Sequence, residues 1–331
     1  MPFTYYHPLI GIGSSENSGR YPTENGFETR TTSTIAFDDA TRTFTITPVG
    51  DCFYWNDGSR YQITAAESIT IADTEGIHFV YIDGDTLKET STFSESLITT
   101  YALVGVVYWD ATNNVSIIFG DERHGRSMDS MVHLYHHSTE GAKWGKGLGP
   151  VEITHGNGNN AVDAQIGLEA GSIWDEDLKF DIPADARPIN APILYRSGAT
   201  GLWRKIDSTG YICTTAGSGR AAYNEWTGAT WQLTELTTND YCCMHLLATN
   251  DQRHPMIWIV GQNRYTTLAN AREGADIEWQ SLQVGQLETL LPEFVAIATF
   301  ILQTASGYGN AVKSKIVTLE NGTSFVDLRK R

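Results

Sequence analysis

The sequence predicts a mainly β protein with two antiparallel β-sandwich or barrel-like domains, an extended N-terminal arm and a few short helices. Three observations support this fold class: an aromatic-rich, Gly-rich and weakly charged composition, short runs of alternating apolar and polar residues, and turn residues between those runs. The chain has 331 residues, of which 19% are charged and 11% aromatic, and it contains 31 glycines. This length is sufficient for one large or two medium domains with apolar cores.

The N-terminal third divides into an arm and a β domain. Residues 1–30 mix Gly and Pro with polar residues and show no apolar period, so we expect an extended arm. Residues 31–123 contain alternating pairs such as Ile35 with Phe37, separated by turn sequences rich in Asp, Asn and Gly. These hairpin patterns predict a first β domain.

The remainder of the chain divides into a connector and a second β domain. Residues 124–190 are Gly-rich and acidic, and Asp129 is placed to cap a short helix, so we expect a loop-rich connector outside any compact core. Strand patterns resume in residues 191–331, where Trp226 and Trp231 flank a hairpin tip.

Two further segments of the second domain have helical patterns. Leu268 to Glu273 and Leu282 to Leu291 are expected to form short helices, the second stopped by Pro292.

Composition also restricts the partners and the compartment. A formal net charge of −16 would repel nucleic acid, because affinity for phosphates depends on Lys and Arg. The run from Val295 to Leu302 is too short to span a bilayer, and the N-terminus lacks the pattern of a secretion signal. Four cysteines fit no metal or disulfide spacing and are expected to be small core residues of a protein from a reducing compartment; they are Cys52, Cys213, Cys242 and Cys243.

Histidines form one cluster that deserves comparison with a metal site. His133, His136 and His137 lie in the expected short helix, and His133 and His137 are four residues apart, a spacing that can bind one metal ion. Because neither a nearby cysteine nor an HExxH glutamate completes the set, we expect a solvated or subunit-facing helix surface. No metal site and no cofactor is predicted.

Acidic residues form a second cluster, made up of Asp175, Glu176, Asp177 and Asp181. Paired carboxylates carry out glycoside hydrolysis, and clustered acids can also bind calcium. A loop of this composition usually faces water, so neither role is assigned. The sequence also lacks a Gly-x-Ser-x-Gly elbow, and we assign no catalytic residue and predict that the chain is not an enzyme.

Three tryptophans are candidates for glycan recognition. Exposed aromatic rings stack on sugar faces, and Trp203, Trp226 and Trp231 lie in strands or at a hairpin tip. The alternative is that they pack in a core or at a subunit interface.

Several sequence motifs in residues 115–329 resemble those of bacteriophage tail-fibre and virion structural proteins. The matching segments are ERHG and MDS within 122–130, IWDEDL at 173–178, WQLTEL at 231–236, ATND at 248–251, NAREGAD at 270–276, LPEFVAIATFILQT at 291–304, NAVKSKI at 310–316 and FVDLR at 325–329. The last resembles an FVDWR-type module end, with Leu328 in place of Trp. In longer members a fibre shaft or receptor-binding tip follows this module, so the resemblance favours a scaffold or attachment role over host recognition.

The resemblance implies a non-enzymatic virion structural protein, part of a tail fibre or another particle appendage. Its expected partners are copies of itself, most often as a homotrimer, and other phage tail or capsid proteins. It would be assembled in the bacterial host cytoplasm and reside in the virion. Two alternatives remain open, a glycan-binding host-recognition adhesin and a tailspike-like polysaccharide depolymerase.

Overall fold

Short antiparallel strands dominate the protein, as predicted. A computed structural model describes residues 24–329, and the secondary structure is 44% strand and 14% helix, which confirms the mainly β fold class. The predicted arm falls largely on residues outside the described range. Its last part is ordered by pairing, because Gly26–Phe27 forms strand β1, and the Phe27 side chain is fully buried.

Residues 24–121, called the first half below, contain a 3-10 helix (Arg30–Thr32) together with ten strands and one short α-helix. They are β1 (Gly26–Phe27), β2 (Ser33–Asp38), β3 (Thr43–Pro48), β4 (Cys52–Asn56), β5 (Ser59–Ile63), β6 (Glu67–Thr70), β7 (Gly76–Asp83), β8 (Thr86–Thr90), α1 (Ser96–Thr99), β9 (Ala102–Asp110) and β10 (Val115–Asp121). They form three antiparallel sheets with the orders β1-β4-β5, β2-β3-β6 and β10-β9-β7-β8. The predicted alternation places Phe44 and Ile46 of β3 in the core, where both are fully buried.

The middle of the chain is richer in structure than a connector. It contains α2 (Ser130–Thr139), β11 (Lys143–Lys146), β12 (Pro150–Val151), β13 (Gly167–Leu168), β14 (Gly171–Asp175) and β15 (Leu178–Ile182). The predicted short helix is therefore present. Leu148, Ile166 and Ile173 are fully buried in one apolar cluster with the second half, unlike the segment outside a core that the sequence suggested. The sequence pattern did not reveal this packing. The glycine-rich segments connect strands of only two to five residues, which are too short to show a clear apolar alternation.

Residues 193–327, called the second half in this description, are built on one large sheet. Its elements are β16 (Ile193–Ser197), β17 (Leu202–Ile206), β18 (Thr215–Ala216), β19 (Arg220–Trp226), β20 (Trp231–Glu235), β21 (Tyr241–Thr249), β22 (Met256–Val260), α3 (Leu268–Ser281), β23 (Phe294–Thr304), β24 (Ser314–Ile316) and β25 (Val326–Asp327). The sheet has the order β17-β16-β22-β21-β23-β24, with β25 also on β23, and β16 and β22 are parallel. The predicted hairpin is confirmed, since Trp226 pairs with Trp231.

An apolar cluster is shared by the two halves. It brings Phe79 and Tyr108 of the first half together with Leu194, Trp203 and Leu247 of the second. Hydrogen bonds reinforce the contact, among them one from the Tyr108 hydroxyl to the Gln286 side chain at 2.8 Å. The domain boundary near residue 123 stays a prediction, but the residues on its two sides contribute to one core.

Two sequence expectations about composition can be compared with the structure. All four cysteines are free and buried, as expected for small core residues. Among residues 24–329, no helix combines the length and the apolar character that crossing a bilayer would require.

Candidate functional site

Buried ionisable side chains gather where the ends of several elements meet. We call this group the histidine–carboxylate cluster; its members are Glu122, His124, His133, His137, Asp175, Glu176, Asp177, Asn250 and Glu293. Buried charges are costly unless they are paired or bind an ion, so such a concentration demands a physical explanation.

Glu122 and His124 enter the cluster from the end of β10. Both side chains are 4% exposed. The backbone carbonyl of His124 accepts a hydrogen bond at 2.8 Å from the amide of Phe27 in β1. Gly26 makes this approach possible, because its φ is +90° and a Cβ there would lie 2.5 Å from the His124 carbonyl oxygen. The end of the predicted arm thus fixes the backbone that carries His124.

Helix α2 presents His133 and His137 to the cluster. The helix begins as predicted at the Asp129 cap, whose carboxylate accepts hydrogen bonds from the amides of Met131 and Val132 at 3.0 Å each. The expectation of a solvated or subunit-facing surface was wrong for His133, which is 8% exposed in the single chain.

The orientation of α2 reverses the usual amphipathic arrangement. Val132 and Tyr135 are exposed by 40% and 46%, while the buried positions are the polar residues Ser130 and His133. Helix α2 therefore packs a polar face against a polar interior.

The tight turn between β14 and β15 supplies three acids. Glu176 has a φ of +44°, which lets the two-residue turn close, and its carboxylate is fully buried. Asp175 is also fully buried, whereas the Asp177 side chain is 11% exposed. The expectation that these acids face water was therefore wrong for all three. Asp181 does face water, with a 70% exposed side chain paired to Lys179 at 2.6 Å.

Asp177 holds the ring of His124 in a fixed orientation. Its carboxylate accepts hydrogen bonds from His124 Nδ1 at 2.9 Å, from the Gly125 amide at 2.9 Å and from the Ser127 hydroxyl at 2.6 Å. With Nδ1 engaged in this way, His124 Nε2 points to the other acids, 3.5 Å from Glu122 and 3.6 Å from Glu176.

Asn250 joins three carboxylates on the other side of the cluster. Its amide nitrogen lies 2.9 Å from one oxygen each of Glu122, Asp175 and Glu293. Because an amide nitrogen has two hydrogens, it cannot fully satisfy three carboxylates. His137 Nδ1 closes the arrangement, at 3.5 Å from Glu293 and 3.7 Å from Glu176.

Burial and mutual repulsion raise the pKa of two of these acids. For Asp175 the causes are burial and the charges of Glu176 and Glu122, and for Glu293 they are burial and the charges of Asp175 and Glu122. Both pKa values lie well above the usual range. In the protein alone, these two groups therefore hold protons more strongly than free carboxyls do.

Histidine contacts lower the pKa of the other two acids of the turn. Burial opposes the shift in both cases. Contacts with His137 and His124 nevertheless bring the pKa of Glu176 to about 2, and hydrogen bonds with His124 and Ser127 bring that of Asp177 to about 2.

The two innermost histidines differ in their affinity for protons. Burial lowers the pKa of His124, but its contacts with Asp177 and Glu122 outweigh burial and raise the pKa well above the usual value. Burial and the charge of His124 hold the pKa of His133 well below its usual value. His133 is thus a neutral imidazole with a lone pair available at neutral pH.

Many polar atoms of the cluster have no hydrogen bond. In the described part of the chain ten buried side-chain atoms lack a partner, and six of them belong to this cluster: His124 Nε2, His133 Nε2, Asp175 Oδ1, both Glu176 carboxylate oxygens and Asn250 Oδ1. Since leaving a buried polar group unsatisfied costs roughly 1–3 kcal/mol, this concentration marks a place where a ligand would be stabilised.

The geometry suits a cation better than hydrolytic chemistry. His124, His133 and Glu176 each place one ligand atom so that the three lie within 4.8 Å of one another, and Glu122, His124 and Asp175 do the same. A hydrolase would need its two carboxyl groups to flank a substrate groove, whereas these carboxyl groups are buried.

The candidate glycan-binding tryptophans have different environments. Trp203 is fully buried, and its indole N–H donates to the carbonyl of Val284 at 2.7 Å, so it is a core residue. Trp231 is 5% exposed and lies under the guanidinium of Arg196. Trp226 is 43% exposed at the hairpin tip, so of the three it alone offers a ring face to solvent. Glycan binding itself stays a prediction.

Sequence reasoning missed Glu122, His124, Asn250 and Glu293 as members of one site. They are far apart in the chain, and only the sheet topology brings them together. One signal was present: these polar residues stand immediately beside long apolar strands, after β10 and β21 and before β23. Their segments, ERHG, ATND and LPEF, are also among those on which the resemblance to phage proteins depends.

Comparisons with known proteins give no relative: no protein-family model, no curated protein and no solved structure matches this chain. The resemblance to phage virion proteins therefore stays a prediction.

Proposed function

We propose that this chain is a non-enzymatic structural subunit of a bacteriophage particle, part of a tail fibre or other appendage. It would work by assembling with copies of itself, as a homotrimer, and by attaching to tail or capsid proteins. Two observations support the proposal: the motifs resemble those of phage virion proteins, and the fold is mainly β. Its localisation would be the virion, after assembly in the bacterial host cytoplasm.

The observation that carries the proposal is the contrast between the interior and the surface. The most concentrated ionisable groups of the described chain are buried, whereas several large apolar side chains face solvent. Trp174 and Trp226 are each 43% exposed, Val49 is 66% exposed and Ile277 is 59% exposed. Exposed aromatic and aliphatic residues of this kind supply the contact area of protein interfaces.

Open strand edges favour the same role. Within residues 24–329, β5, β8 and β15 each have a strand neighbour on one side only. A strand edge with free amide and carbonyl groups can pair with a strand of another chain. Sheet extension between copies, supported by the exposed side chains, is a physical route to a fibre subunit.

Imaging of the particle tests the placement in the virion. A phage that encodes this chain with a small tag would be purified and examined by cryo-electron microscopy with and without a tag-specific antibody fragment. We expect added density at an appendage, with the symmetry of a trimer. Particles without the chain, or labelling confined to debris of host cells, would contradict the proposal.

A second candidate, the glycan-binding adhesin, is favoured by the exposed ring of Trp226. Its ring centroid lies 5.6 Å from that of the buried Trp231, so the exposed ring packs on a second aromatic residue at the hairpin tip. Substitution Trp226→Ala should abolish binding to host polysaccharide if this surface is the binding site. Trp174→Ala is the matched control, because Trp174 is equally exposed on a different hairpin.

The outcome of the same assay separates the three functions. Binding that is lost in Trp226→Ala and retained in Trp174→Ala would support the adhesin. Release of oligosaccharide products would support the tailspike-like depolymerase. The structural proposal predicts neither binding nor cleavage by the isolated protein.

A further inference from the structure

We propose that the histidine–carboxylate cluster binds a divalent transition-metal ion, with the imidazoles of His124 and His133 and the carboxylate of Glu176 as ligands. This inference concerns stability and is independent of the proposed virion role. The ion would tie the end of β10, helix α2 and the β14–β15 turn to one point.

The first support is a set of buried atoms that lack a hydrogen bond. The Nε2 atoms of His124 and His133 and both oxygens of Glu176 have no hydrogen bond, and the two histidines are 4% and 8% exposed. Buried polar atoms ordinarily form hydrogen bonds with other groups of the protein. One ion can satisfy all three residues at once, since imidazole nitrogens and carboxylate oxygens are standard metal ligands.

Distances among the ligand atoms support the same assignment. A zinc ion lies about 2.0–2.2 Å from nitrogen and oxygen ligands in a tetrahedral arrangement, so two ligands of one ion are about 3.3–3.6 Å apart. The ligand atoms of His124, His133 and Glu176 already lie within 4.8 Å of one another. Binding would draw these atoms together by at most about 1.5 Å.

A cavity beside these ligands provides space. It has a volume of about 10 Å³, and Glu122, His124 and His133 are among the residues that line it. This volume matches roughly one water-sized particle, which suits an ion or its one remaining water ligand.

Asp177 has the geometry of a positioning residue. A metal-binding histidine usually donates its second ring N–H to a carboxylate, which fixes the ring and leaves the other nitrogen for the ion. His124 Nδ1 donates to Asp177 at 2.9 Å, and Asp177 is held in turn by Gly125 and Ser127. The ring of His124 is therefore oriented for coordination through Nε2, and the ion would displace to solvent the proton that Nε2 carries in the protein alone.

The charge balance also favours a cation. Glu122, Glu176, Asp177 and Glu293 form ion pairs with histidines, and the described structure gives them no Lys or Arg partner. A divalent ion would supply positive charge that does not depend on protonated imidazoles. The presence of imidazole ligands points to zinc, manganese or iron more than to calcium or magnesium, which prefer all-oxygen sites.

Metal content and metal binding of the full chain test the inference. The protein would be purified without chelator for elemental analysis, then stripped with a chelator and titrated with Zn²⁺, Mn²⁺ and Ca²⁺ by calorimetry. We expect about one transition-metal ion per chain and a melting temperature that falls on stripping and recovers with Zn²⁺ or Mn²⁺. The absence of retained metal together with the absence of micromolar Zn²⁺ or Mn²⁺ binding would overturn the proposal.

Matched variants locate the ion. His133→Ala should weaken binding at least about 100-fold, whereas His136→Ala, whose side chain is 39% exposed on the same helix, should leave it unchanged. If His133→Ala does not fold, Glu176→Gln retains the shape of the side chain and serves in its place. Asp177→Asn should weaken binding about 10- to 100-fold through His124.

Equal binding by the wild type and by Glu176→Gln would overturn the assignment of ligands. Tighter binding of Ca²⁺ than of Zn²⁺ and Mn²⁺, unaffected by His133→Ala, would overturn the imidazole-ligated site.

Discussion

The role of a single side chain in this protein depends mainly on whether neighbouring segments bury it. The same residue type takes opposite roles according to the neighbouring chain: Trp226 faces solvent, whereas Trp203 is a core residue. The same holds for acids of one short segment, where Asp175 is buried and Asp181 is exposed. Sequence patterns identified the tryptophans and acids that could form a site. They did not predict which of these side chains are exposed, because exposure depends on strands that are distant in sequence.

His245 gives a prediction about pH. It is fully buried in β21 and hydrogen-bonded through Nδ1 to Thr299 at 2.9 Å, and burial lowers its pKa. In the unfolded chain His245 would take up a proton below about pH 6.5, whereas the folded protein resists it. Its contribution to stability is therefore present above that pH and lost as the pH falls through the lowered value.

Urea unfolding from pH 7.5 to 5 measures this effect. The free energy of unfolding should decrease on acidification by up to about 1.4 kcal/mol per pH unit from this one group. In His245→Gln this slope should become shallower, whereas the exposed-site control His136→Gln should keep the wild-type slope. Identical slopes in all three proteins would contradict the assignment.

At the scale of helices and strands, local sequence signals predicted the presence of an element better than they predicted where it ends. The Asp129 cap and the helix after it were predictable, because an acidic N-cap is a short-range feature. Helix α3 runs from Leu268 to Ser281, eight residues beyond the predicted end at Glu273. Its extension is stabilised by long-range contacts, since Glu278 is buried and accepts hydrogen bonds from the amides of Gln262 and Asn263.

The cap of α2 gives a prediction at this scale. Asp129→Ala removes both hydrogen bonds to the first turn and should lower the free energy of unfolding by about 1 kcal/mol. Asp129→Asn retains a capping side chain and should lie near the wild type. Both would be measured by chemical denaturation, and an Asp129→Ala protein as stable as Asp129→Asn would show that the cap contributes little.

The segment 285–293 illustrates a different limit of local prediction. A short helix stopped by Pro292 was expected over Leu282 to Leu291, and the structure has a 3-10 helix, Gly285–Glu293, that includes the proline. The helix continues for one residue past the proline and ends with a hydrogen bond from the amide of Phe294, the first residue of β23, to the carbonyl of Leu291. This path carries Glu293 into the histidine–carboxylate cluster, which no local pattern could indicate.

The whole molecule is held together by contacts between the halves that the sequence suggested were separate domains. The mainly β class was predictable from alternation and turns. The shared apolar cluster and the convergence of Glu122, Asn250 and Glu293 were not, because both depend on how the sheets pack. Trp203 lies in that shared cluster and contacts both halves, with its amide 3.5 Å from the Tyr108 hydroxyl.

Trp203 gives a prediction about cooperativity. Since the two halves share a core, thermal unfolding should be one transition in calorimetry and in far-ultraviolet circular dichroism. Trp203→Ala should lower the free energy of unfolding by about 3–5 kcal/mol, while Trp226→Ala should change it by less than about 1 kcal/mol. Two separate transitions in the wild type, only one of them shifted by Trp203→Ala, would show that the halves unfold independently.

Self-association is the central claim about the whole molecule, and a dilution series in mass photometry tests it most directly. The full chain would be weighed at concentrations from micromolar to nanomolar, with the metal content held constant. The proposed role predicts a discrete multimer, a trimer of the 36.6 kDa chain, that persists on dilution. A monomer at micromolar concentration would contradict it.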